Sequence, residues 1–126
     1  MTQTNLRVLI VEDDPTIREL LSTLLGFEGW DVALADDGLS GLETAERLRP
    51  DVVLVDVTMP GLSGYELCKR LKAGASPPRV VMVTGRSTAQ DEVEGRAAGA
   101  DAYLRKPFSP LELLEAVTGS GNGSQP

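Results

Sequence analysis

Three strand-length runs, Leu6-Arg7-Val8-Leu9-Ile10-Val11, Val52-Val53-Leu54-Val55 and Arg79-Val80-Val81-Met82-Val83, are almost unbroken in apolar and β-branched residues. A strand without polar alternation has no face to give to water, so each must lie inside a sheet covered on both sides. Between and after these runs stand segments with the period of amphipathic helices. Ile17, Leu20, Leu21, Leu24 and Leu25 form one stripe, opened by Asp14 as N-cap and Pro15 as first helical residue and ended by Gly26 or Gly29. Leu39, Leu42, Ala45 and Leu48 form a second, closed by Pro50, and Leu67, Cys68 and Leu71 mark a third over residues 64–73. Residues 87–98 should be helical on a thin stripe of Ala89, Val93 and Ala97 around an interior Gly95, and therefore weakly held. Ser109 caps a last helix carrying Leu111, Leu114 and Val117.

Two further strand candidates, Asp31-Val32-Ala33-Leu34-Ala35 and Asp101-Ala102-Tyr103-Leu104, are shorter or more polar and suit the sheet edges. Strands alternating with helices specify an α/β fold, a doubly wound parallel sheet of five strands with five helices. Right-handed crossovers, with the apolar strands central, give the order 2-1-3-4-5. The topology then switches between strands one and three, and ligands bind such sheets beyond the carboxyl ends of the strands at that point. A chain of 126 residues is the length of one domain. Residues 119–126, rich in Gly and Ser, read as a flexible tail or linker.

Several function classes are excluded or disfavoured early. A formal net charge of −7 opposes direct nucleic-acid binding, which needs Lys and Arg to neutralise phosphates. There is no histidine, which removes His-based acid–base chemistry, His-dependent triads and His-ligated zinc. The single cysteine, Cys68, precludes an internal disulfide, suits a reducing cytoplasm and reads as a small buried helix residue. No apolar run approaches the roughly 20 residues of a membrane span, and Met1 to Asn5 show no basic segment leading into an apolar one, so neither membrane insertion nor a signal peptide is expected.

The predicted strand order brings scattered polar residues to one crevice: Glu12 and Asp13 after strand one, Asp56 after strand three, Thr84 after strand four and Lys106 after strand five. Each alone has a plain structural reading. Glu12-Asp13-Asp14 suits a helix start, Asp56 could cap the turn Val57-Thr58-Met59-Pro60-Gly61, Thr84 could open a helix, and Lys106 could be solvated. Together they are the parts that phosphoryl transfer requires. Carboxylates held close repel one another unless a cation sits among them. Oxygen ligands without nitrogen or sulfur suit Mg²⁺, which commonly bridges to phosphate. Asp56 would attack phosphorus, while Lys106 and the Thr84 hydroxyl steady phosphoryl oxygens, leaving an acyl phosphate.

Over residues 6–118 the chain resembles a response-regulator receiver domain. The matching stretches are Val8-Leu9-Ile10-Val11-Glu12-Asp13-Asp14-Pro15, Leu54-Val55-Asp56-Val57-Thr58-Met59-Pro60-Gly61-Leu62-Ser63-Gly64, Val83-Thr84-Gly85 and Gly99-Ala100-Asp101-Ala102-Tyr103-Leu104-Arg105-Lys106-Pro107-Phe108. The resemblance implies a flavodoxin-like fold, with the strand order known for the family's chemotaxis regulators, and a receiver over residues 1–118. It implies that Asp56 is the phosphoacceptor for a sensor histidine kinase or histidine phosphotransfer protein. It also implies that Asp13 and Asp56 ligate Mg²⁺ (or Mn²⁺ in its place) directly, Glu12 through water, and the main-chain carbonyl of Thr58 as a further ligand. Thr84 and Tyr103 resemble the family's switch pair, with a structural tyrosine at the sheet edge as the plainer reading of Tyr103. The output would be a changed partner surface on the fourth helix, fifth strand and fifth helix, not substrate turnover.

Members that dimerise to bind DNA usually carry an acidic residue where Ala102 stands and a basic one near Glu92, so that dimer's salt bridges are not expected here. Thr58 and Arg86 flank the site and should tune the lifetime of the phosphoryl group. Two other functions compete. An Asp-nucleophile phosphatase of the haloacid dehalogenase type needs a second aspartate two residues after the first, where this chain has Thr58. A pseudo-receiver used only as an interaction module would not require the full acid set, Thr84 and Lys106.

Overall fold

The computed structural model describes residues 5–57, 59, 61–85 and 89–119, with the backbone alone for residues 89–92. Five parallel strands, β1 (Arg7–Val11), β2 (Asp31–Ala35), β3 (Val52–Asp56), β4 (Arg79–Thr84) and β5 (Ala102–Arg105), form one sheet in the order β2-β1-β3-β4-β5. The helices α1 (Pro15–Gly26), α2 (Gly38–Leu48), α3 (Gly64–Lys72), α4 (Ala89–Ala97) and α5 (Pro110–Thr118) alternate with them. The fold and strand order expected from the apolar runs are therefore those observed.

The sheet has two buried faces, and the strands divide their side chains between them with a period of two. Leu9, Val11, Val53, Val55, Val80 and Met82 pack against Ala45, Leu67, Cys68, Leu71 and Ala98. Val8, Ile10, Val52, Leu54, Val81 and Val83 pack against Leu21, Leu25, Leu113 and Val117. Helix starts are set by side-chain caps. Asp14 Oδ1 accepts from Thr16 N at 2.9 Å, Asp37 Oδ1 from Ser40 N at 2.8 Å, and Ser109 forms a reciprocal capping box with Glu112.

The stripes depart from expectation in one consistent way. Leu20, Leu39, Val93 and Leu111 are exposed. Leu20 lies about 100° round the helix from Leu21, at the rim of its stripe. In α2 the buried residues are Gly38, Gly41 and Ala45, because the helix approaches so closely that a Cβ on Gly41 would stand 2.9 Å from a Val11 methyl. Leu39 is turned away as a result. In α5 the inward pair is Leu113 and Val117, one turn apart, which puts Leu111 on the far side. The buried residues here are Gly95 in α4 and Ala98 just after it, whereas Val93 and Ala97 are exposed.

Strand bounds also differ. Asp56 and Thr84 are the last residues of β3 and β4, not the first beyond them, and β5 begins at Ala102 with Asp101 just outside. The first helix ends at Gly26, with Gly29 in the left-handed region at φ 81°. Helix α4 is described from Ala89, and the expected start at Ser87 lies outside the described residues, as do residues 120–126 of the expected tail.

Candidate functional site

Register puts the acids together. Val11 pairs with Val55 across β1 and β3, so Glu12 and Asp56 are the next positions on neighbouring strands. The main chain fixes them there: Glu12 N donates to Ala35 O at 3.0 Å, and Val57 N to Val83 O at 3.0 Å. Glu12 is only 2% exposed and Asp56 8%, whereas Asp13 is exposed. Carboxylate oxygens of Glu12, Asp13 and Asp56 all lie within 4.8 Å of one another.

Lys106 follows β5 and is held by a bond from its N–H to Thr84 O at 2.8 Å. Its ammonium stands 3.8 Å from Asp56 Oδ2 and 3.9 Å from Glu12 Oε1, too far for a direct hydrogen bond but close enough for charge attraction. Thr84, 1% exposed, ends β4 beside them, one residue beyond Val83, the register partner of Asp56.

Glu12 is the strained member. Its Oε2 accepts from Asp14 N at 3.1 Å, but among the described residues no hydrogen-bond donor reaches the buried Oε1. Burial pushes its carboxyl up to about 7, and the neighbouring Asp56 carboxylate adds to the rise. The Asp14 N–H and the Lys106 charge pull it back. A buried oxygen without a donor, facing two further carboxylates and no nitrogen or sulfur ligand, fits a hard divalent cation such as Mg²⁺.

The fold thus gathers Glu12, Asp13, Asp56 and Lys106 at one point and sets Thr84 at the adjoining strand end. Thr58, whose carbonyl the resemblance adds to the ligand set, lies outside the described residues, as do Arg86 and the Glu92 side chain. Tyr103 is half-buried in β5, its hydroxyl 3.3 Å from that of Tyr65. Ala102 is also half-buried and packs toward α5.

Gly64 makes a close contact beneath the site that the sequence did not disclose. A Cβ there would stand 2.9 Å from Val57 Cα and closer still to the Asp56 carbonyl oxygen, so α3 begins in contact with the backbone that carries Asp56. The one available signal was a glycine immediately after the helix cap Ser63. Away from the site, Cys68 is fully buried, and burial raises its thiol to about 11, which keeps it protonated and inert.

Known proteins share this sequence pattern and fold. A family model described as the response regulator receiver domain matches residues 8–118. The DNA-binding response regulator MtrA of Mycolicibacterium smegmatis is 42% identical over 111 residues, which cover 88% of this chain and 48% of the relative. This chain spans about half the length of the curated relatives it matches. Among solved structures, the chemotaxis response regulator CheY4 of Vibrio cholerae superposes with a TM-score of 0.85 at 34% identity, covering 92% of this chain and 98% of that one. The BeF3-activated DrrB receiver domain gives 0.82 at 32% identity, covering 90% and 95%. The chain belongs to the response regulator receiver domains of two-component signalling systems.

Proposed function

We propose that this domain is a phosphoacceptor switch in which Asp56 takes a phosphoryl group from a phosphohistidine of a sensor kinase or phosphotransfer protein. The observation that carries the reading is the buried Glu12–Asp56 pair, with Asp13 within 4.8 Å and the Lys106 ammonium 3.8 Å from Asp56. A carboxylate oxygen of Asp56 attacks phosphorus, the P–N bond to the histidine breaks, and the imidazole leaves with a proton from solvent. The product is an acyl phosphate. Glu12, Asp13 and Asp56 would hold Mg²⁺ or Mn²⁺, which when bound keeps the carboxylates ionised and offsets phosphoryl charge. Lys106 neutralises a phosphoryl oxygen, and the Thr84 hydroxyl donates to another.

Output follows from the same edge. Thr84 and Lys106 end β4 and follow β5, so a phosphoryl group at Asp56 draws on the elements that carry α4, β5 and α5. Val93 on α4 and Leu111 on α5 are 62% and 63% exposed and supply apolar parts of the surface a partner would read. Resemblance to a regulator named as DNA-binding suggests a nucleic-acid output elsewhere in the system, since this domain's charge of −7 disfavours DNA contact by the receiver itself. Among the described residues no helix is long and apolar enough to cross a membrane. With its free thiol, the domain fits the reducing cytoplasm, where such kinases present their phosphohistidine.

Incubation of the purified domain with acetyl phosphate and Mg²⁺ tests this reading by intact mass. The parent should gain one phosphoryl group and Asp56→Asn none. Equal uptake by the variant would dismiss the acceptor assignment, and no uptake by the parent would dismiss the function.

A further inference from the structure

We infer that Gly95 and Tyr65 are positioning residues for Tyr103: Gly95 opens a slot in α4 for the ring, and Tyr65 holds its hydroxyl from α3. The inference rests on the reading of Tyr103 as part of the switch and adds what sets the ring's place. A glycine within a helix is the least favourable residue after proline. Here the absence of a side chain is used. A Cβ at position 95 would stand 3.1 Å from Tyr103 Cδ1 and 3.3 Å from Cζ, and nearer still to Cε1. The Cε1 edge of the ring therefore abuts the backbone of α4 at Gly95. Gly95 and Ala98 form the inward side of this stretch, and Tyr103 packs among the same buried residues as Ala98.

The other end of the ring is fixed by the hydroxyl pair, 3.3 Å apart, between β5 and the first turn of α3. Tyr103 pairs in register with Met82, two residues before Thr84, and precedes Lys106 by three. Any shift of α4 must therefore carry the ring with it or give up the contact at Gly95. Movement at the strand ends and movement of α4 are thereby tied together through one side chain.

Tyr65 and Tyr103 are the chain's two tyrosines, so ring-¹³C-tyrosine NMR reads this pair and nothing else. In the unphosphorylated domain, Gly95→Ala should shift the Tyr103 ring signals and lower Tm. In a Tyr103→Ala background the same change should leave Tm unaltered or raise it, because alanine is the better helix former. Tyr65→Phe should shift the Tyr103 ring signals while preserving the fold. Equal Tm losses in both backgrounds, or ring signals unmoved by Gly95→Ala and Tyr65→Phe, would overturn the assignment. A second arm adds acetyl phosphate and Mg²⁺. Gly95→Ala should take up phosphate at the parent rate yet show smaller shifts of the α4 amides, and undiminished α4 shifts would also overturn it. Failure of the parent to take up phosphate would count against the acceptor reading, while the Tm and ring results on unphosphorylated protein would still decide the slot.

Discussion

The two edges of the sheet use the same residue type in opposite ways. At the amino edge, Asp51 and Asp101 each precede a strand and close its ladder. Asp51 Oδ2 accepts from Arg7 N at 2.9 Å while its own N–H donates to Arg7 O at 2.8 Å. Asp101 Oδ2 accepts from Val80 N at 2.8 Å and from Lys72 Nζ at 2.7 Å. At the carboxyl edge, Glu12, Asp13 and Asp56 crowd together with a buried Glu12 oxygen that no hydrogen-bond donor reaches among the described residues. The protonation preferences follow. Partial burial pushes Asp101 upward, but the bonds from Lys72 and Val80 and the charges of Lys72 and Arg79 outweigh it and hold it below the usual value. Glu12 is driven the other way, up to about 7. A carboxylate fully supplied with donors settles into a structural role, and one left partly without them marks a candidate functional site.

The largest effect expected from breaking this contrast is at the amino edge. Asp101→Ala removes two hydrogen bonds to a charged acceptor and should destabilise the domain by roughly 3 kcal/mol in urea unfolding, with phosphoryl uptake retained. Loss of uptake at intact stability would mean that the edges do not divide the work. At the other edge, a hundredfold excess of Mg²⁺ over its Kd should stabilise the folded domain by about 2.7 kcal/mol, and chelation should reverse it. Glu12→Gln, which removes one of the crowded charges, should stabilise the metal-free domain while weakening the Mg²⁺ response. An unchanged Mg²⁺ response would place the ion elsewhere.

This division also explains what could be read from the sequence. The strands, their order and the gathering of Glu12, Asp13, Asp56, Thr84 and Lys106 at one edge follow from apolar runs and connection rules, because buried parallel strands leave a continuous hydrophobic signal. The helix faces were harder. Leu39 and Leu111 fit a hydrophobic period yet are exposed, since Gly41 and Leu113 decide which side approaches the sheet. Periodicity shows that a stripe exists; closeness of approach selects its centre, and that is a property of the packed chain. The anchoring roles of Asp51 and Asp101 were hidden for a related reason. Nothing local separates an aspartate before a strand from one after it except the direction of the strand. Gly64 and Gly95 were visible as a helix start and a helix weakness, but what presses against them comes from 8 residues away on one side (Asp56) and from another strand on the other (Tyr103).

A smaller effect is expected at Gly64. An added methyl must push α3 away from the backbone of Asp56 and Val57, an overpacking change worth roughly 1–3 kcal/mol. Gly64→Ala should therefore lower Tm and slow phosphoryl uptake together, since the displaced backbone carries Asp56, the proposed acceptor. A loss of stability with the uptake rate unaltered would show that the contact supports the fold without positioning Asp56.

The smallest effect tests the pKa side of the contrast. Asp101 is lowered from the ordinary 3.8, so its folded form gives up its proton more readily than its unfolded form. The unfolded chain then binds more protons in the interval between the lowered value and 3.8, and stability rises with pH across that interval. The contribution is fully present above about pH 4 and is lost as acid drops the pH through the folded-state value. Solvent reaches this carboxylate, with its side chain 33% exposed, so screening keeps the effect modest. Urea unfolding of the parent and Asp101→Asn at pH 6 and pH 3 measures it: the gap between the two proteins should narrow in acid. A gap that stays constant would mean that the Lys72 and Val80 bonds hold Asp101 equally well with its proton on, and the charge would then have no part in closing the amino edge.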